Sequence, residues 1–65
     1  MDKVHLEMLE GLVDKFGLGT VLSGLSYICS EKSLHIAENW QDTSTANQWM
    51  GASTRLDKVG SQIGF

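Results

Sequence analysis

A single cysteine occurs among the 65 residues of this chain, and proline is absent. One cysteine cannot close an internal disulfide, and no cluster of cysteine and histidine has zinc-finger spacing. Two of the usual supports for a very small domain are therefore excluded. Basic residues are also scarce, five against eight acidic ones, for a net charge of −3. Such a balance disfavours a phosphate-binding surface, because nucleic-acid affinity comes largely from neutralising phosphates. No apolar stretch approaches the roughly 20 residues needed to cross a bilayer. Glu7 and Glu10 keep the segment after Met1-Asp2-Lys3 from forming the apolar region of a signal peptide. The expectation is a protein without membrane or nucleic-acid partners, its free thiol in a reducing cytoplasm.

What remains has the composition of an ordinary globular chain, with 42% apolar and 20% charged residues. One domain with one small core is the most this length supports, and a chain of this size buries only about 60% of its unfolded surface. With an internal disulfide and zinc-finger spacing excluded, self-association is the support left, so a homodimer is expected.

The chain divides into three segments, near 2–16, 20–40 and 44–60, separated by Gly17-Leu18-Gly19 and by the polar run Gln41 to Thr45. All three have helical periodicity. His5, Leu9, Leu12 and Phe16 recur on one side of the first, with Met8 and Val13 flanking them. Lys15 and Gly17 mark its C-terminal end. In the second, Leu18, Val21, Leu22, Leu25, Cys29, Ile36 and Trp40 form one stripe, and Lys32 is the only charge within it. Thr20 is a candidate N-cap, unless the helix begins at Leu18 with Gly17 serving both ends of the turn. The serines and Gly24 of this segment are indifferent or poor helix formers, so packing must hold it. The third stripe is Ala46, Trp49, Met50, Ser53, Leu56 and Gly60, with Asp42 to Thr45 as competent N-caps. Its small residues would allow close approach to a neighbour. The expected fold is all-α, a small three-helix bundle.

Few residues suggest chemistry. Glu31, His35 and Glu38 share a helical face, and carboxylates with an imidazole suit zinc or iron. The carboxylate-bridged bundle proteins use Glu-x-x-His from several helices, however, whereas this chain has one copy in the reverse order. A metal or enzymatic site is therefore the alternative reading, available only where a dimer brings two copies together. Cys29 lies in an apolar stripe, with His35 about 120° away on the helical wheel, and lacks the basic partner a thiolate nucleophile requires. His5 is expected to be partly buried, and Trp40 and Trp49 to pack the third helix on the second. No cofactor is implied. A helix-turn-helix reader is opposed by the third helix, which offers only Arg55 and Lys58 with Asp57 between them.

The segment from Ile28 to Asp42, ICSEKSLHIAENWQD, resembles a stretch found in short uncharacterised bacterial and phage proteins. That resemblance implies a small helical protein and carries no activity or site residue with it.

Tyr27 and Leu34 project from the side of the second helix opposite its main stripe, and Leu6 lies at the edge of the first helix's stripe. A helix with apolar residues on two sides is usually covered on both. These three residues are the expected dimer contact, and the expected function is that of a self-associating protein-interaction module.

Overall fold

A computed structural model describes all residues from Met1 to Phe65 and consists of three helices without strands: α1 (Lys3–Phe16), α2 (Leu18–Asn39) and α3 (Thr43–Ser61). The all-α, three-helix expectation holds, and the second helix begins two residues earlier than residue 20. Gly17 is the reason. Its amide donates to the Val13 carbonyl, ending α1, and its own carbonyl accepts from Val21, starting α2. One residue can serve both helices only at φ 89°, ψ 154°, a region open to glycine and strained for any other residue. Thr20 is consequently inside α2 and does not cap it.

At the other junction Trp40 ends α2, Gln41 turns the chain at φ 52°, and Asp42 caps α3 by accepting from the Thr45 amide at 3.1 Å. A left-handed residue followed by an N-cap reverses the chain in two steps, so α3 runs back along α2.

The α2–α3 hairpin is the structural centre. Its seam is built from small residues repeating every seven positions on both helices: Gly19, Ser26 and Ser33 on α2, and Gly60, Ser53 and Ala46 on α3. Because the helices are antiparallel, the pairs meet in that order. Ser26 and Ser53 hydrogen-bond one another, and the Ser33 hydroxyl donates to the Ala46 carbonyl at 2.7 Å. A Cβ on Gly60 would lie 3.7 Å from the Gly19 carbonyl. A seven-residue repeat of small side chains lets two helices approach closely along their length. Leu22, Ile36, Trp49, Leu56 and Ile63 flank the seam half-buried.

Only six residues are buried, namely Ser26, Cys29, Ser33, Ala46, Ser53 and Gly60. All are small, and all belong to the hairpin. α1 lies against α2, does not reach α3, and contributes no buried residue. The molecule is flat, 37 × 28 × 14 Å.

Three sequence expectations change here. The stripe on α2 is divided between two neighbours: Leu22, Cys29 and Ile36 belong to the α3 side, whereas Val21 and Leu25 turn toward α1. Trp40, expected in the core, is 72% exposed, because the helix ends there and the chain turns away. His5 is exposed rather than partly buried. It sits in the first turn of α1, where its amide donates to the capping Asp2 carboxylate at 2.9 Å and its Nδ1 lies 2.6 Å from the same oxygen.

Candidate functional site

The structure leaves large apolar side chains uncovered along one helix pair. α1 spans 14 residues and lies beside the first half of α2, held by Gly17. Between them runs a groove lined by Leu9, Leu12, Phe16, Val21, Leu25 and Ile28, with Thr20 and Gly24 completing it. No charged residue lines it. Met8, Leu12, Phe16, Leu25 and Ile28 are exposed along this groove or beside it, and Met1, His5 and Met8 continue it along α1.

The arrangement of charge on α1 explains why the groove is bare. At about 100° per residue, Lys3, Glu7, Glu10 and Asp14 fall together on the side away from Met8, Leu12 and Phe16. An amphipathic helix of this kind buries its apolar side when a core is present. Here the small-residue hairpin offers no deep core, so α1 rests on α2 along one edge.

A second cleft lies further along α2, between Tyr27, Ile28, Glu31, Lys32, His35, Ile36 and Trp49. The Lys32 ammonium stands 5.6 Å from the centre of the Trp49 ring. That contact accounts for the one charge inside the α2 stripe: its stem covers apolar surface while its head meets an aromatic face.

Glu31, His35 and Glu38 are all exposed, and no three histidine, cysteine, aspartate or glutamate side chains in the chain converge to hold a metal ion. His35 is engaged locally, with the Asn39 amide 3.1 Å from its Nδ1 and donating to its carbonyl at 3.0 Å. Cys29 is a free thiol buried on α2.

No family model, no curated protein and no solved structure matches the chain.

Of the expected interface residues, Tyr27, Leu34 and Leu6 are each exposed, at 67%, 49% and 53%. Tyr27 lines the cleft beside Trp49, whereas Leu34 and Leu6 line no cavity. Their immediate neighbours are acidic: Glu31 follows Tyr27 by one helical turn, and Glu38 follows Leu34 by one. The groove between α1 and α2 is not legible in the sequence, because a three-helix bundle with a deep core would bury the α1 stripe. No helix is long and apolar enough to cross a membrane.

Proposed function

We infer that this protein is a helical interaction module that works by self-association, two copies covering apolar helix surface that one copy leaves open. The observation that carries this reading is the mismatch between burial and exposure. The six buried residues are all small, while fourteen large hydrophobic residues are exposed. Burial of apolar surface is the main favourable term in folding, and a hairpin seam of serine, glycine and alanine contributes little of it. Association supplies the missing part and gives the protein its activity, which is to hold chains together through helix packing.

A supporting feature is the acidic balance, which disfavours nucleic acid as the partner. Sedimentation across a range of concentrations tests the reading. The expected result is a species of twice the 7.1 kDa chain mass, giving way to the single chain on dilution. A well-folded chain that stays single at the highest concentration would overturn it.

A further inference from the structure

We propose that, given the self-association argued above, the contact surface is the open side of the α1–α2 groove, and its occupant is the same groove of a second copy. Two α1–α2 pairs then stack about a two-fold axis as a four-helix layer, with one α3 on each flank.

The surface area of the chain sets the size of the partner. A folded monomer of this mass exposes about 4,100 Å², whereas this chain exposes 5054 Å². The excess is roughly 1,000 Å², and a standard interface removes about 800 Å² from each partner. One copy on another accounts for the surplus.

Chemistry selects the surface. A two-fold contact places a patch against itself, so a patch whose charges are all of one sign meets only that sign. The groove of Leu9, Leu12, Phe16, Val21, Leu25 and Ile28 is lined by no charge, and the charge beside it is the Lys15 ammonium, 5.3 Å from the centre of the Phe16 ring. The Tyr27–Leu34 side of α2 carries Glu31 and Glu38 and would bring like charges together. α1 has no buried residue of its own and gains most from being covered. A lipid surface is disfavoured as occupant, because α1 and its cap carry Asp2, Glu7, Glu10 and Asp14 against Lys3 and Lys15, the wrong sign for an anionic membrane.

The test compares the solution masses of the intact wild-type chain, Leu12→Glu and Leu34→Glu, with circular dichroism to verify that each remains helical. Leu12→Glu is expected to weaken association by roughly 100-fold or more, since the dimer would bury two unpaired carboxylates, while Leu34→Glu stays dimeric. Persistence of the Leu12→Glu dimer, or dissociation by Leu34→Glu, overturns the groove assignment and leaves self-association standing. A wild type of 7.1 kDa at every concentration overturns self-association itself. Amide exchange on the unmodified protein guards against a variant that fails to fold. Protection of Leu9 to Phe16 should fall as the dimer is diluted, and protection unchanged between dimer and monomer overturns the assignment.

Discussion

Ser26 and Ser53 exchange hydroxyl hydrogen bonds across the α2–α3 seam, each donating to the other's backbone carbonyl, at 2.9 and 2.8 Å. The two hydroxyl oxygens lie 2.9 Å apart. Such reciprocity requires the helix backbones to be close, because a serine side chain reaches only one carbon beyond Cα. Polar satisfaction and close approach are thus one feature, and no buried side-chain nitrogen or oxygen in the chain is left without a partner.

Bulk should therefore damage the seam more than loss of a hydrogen bond does. Ser26→Ala removes one donor but leaves Ser53 bonded to the residue-26 carbonyl, so a loss of about 1 kcal/mol is expected. Ser53→Leu forces a branched side chain between backbones that cannot separate without breaking the other layers, and should cost about 3 kcal/mol or more. Urea unfolding followed by circular dichroism measures both. Equal effects from the two substitutions would contradict close packing.

Gly17 and Gly11 make a matched pair of opposite sign. Gly17→Ala places a Cβ at φ 89° and 3.2 Å from the Phe65 backbone carbon, so a loss of about 1–3 kcal/mol is expected. Gly11 lies mid-helix with nothing within 4 Å of a Cβ, and Gly11→Ala should stabilise α1 by about 1 kcal/mol. Melting temperatures should move down for the first and up for the second. Any gain in stability from Gly17→Ala would contradict the double-cap role of that residue.

Much of this fold is legible in the sequence, and the part that is not has a physical cause. Periodicity reveals three helices and their turns, since apolar spacing and glycine act locally. A helical wheel does not reveal that α2 is shared between two neighbours, because Val21, Leu25, Ile36, Cys29 and Leu22 follow one another in angle as one continuous apolar stripe roughly 100° wide. Ser26 and Ser33 looked like weak helix formers. Their seven-residue spacing with Gly19, mirrored by Ala46, Ser53 and Gly60, is the signal that identifies the seam. At the candidate site, the exposure of Tyr27, Leu34 and Leu6 was readable, whereas the α1–α2 groove depends on how shallow the hairpin core turns out to be.

Acid should loosen the helix starts before it unfolds the hairpin. The His5 amide and then its side chain hold Asp2 below the usual 3.8, and Thr45, through side chain and amide, does the same for Asp42. A folded pKa below the unfolded one gives stability that is present above about pH 4 and lost as pH falls through the folded value. Amide protection near His5 and Thr45, referred to the unstructured chain at the same pH, should fall in that window. Asparagine caps as well as aspartate without titrating, so a chain carrying Asp2→Asn and Asp42→Asn should lose this part of the pH dependence.

The two tryptophans report on opposite environments, although both occupy apolar positions in their helical patterns. Trp40 stands 72% exposed at the end of α2, while Trp49 is half-buried beside Ile36 under the Lys32 ammonium. Trp49→Phe should leave a protein whose emission is close to that of tryptophan in water and readily quenched by acrylamide. Trp40→Phe should leave blue-shifted emission with quenching reduced by roughly two- to three-fold, as a partly covered indole exposes less of its ring. Stability should separate the variants in the reverse sense to exposure: Trp40→Ala costs little, and Trp49→Ala opens the flank of the seam and costs about 2–3 kcal/mol. Indistinguishable emission from the two single-tryptophan proteins would contradict the difference in exposure between Trp40 and Trp49.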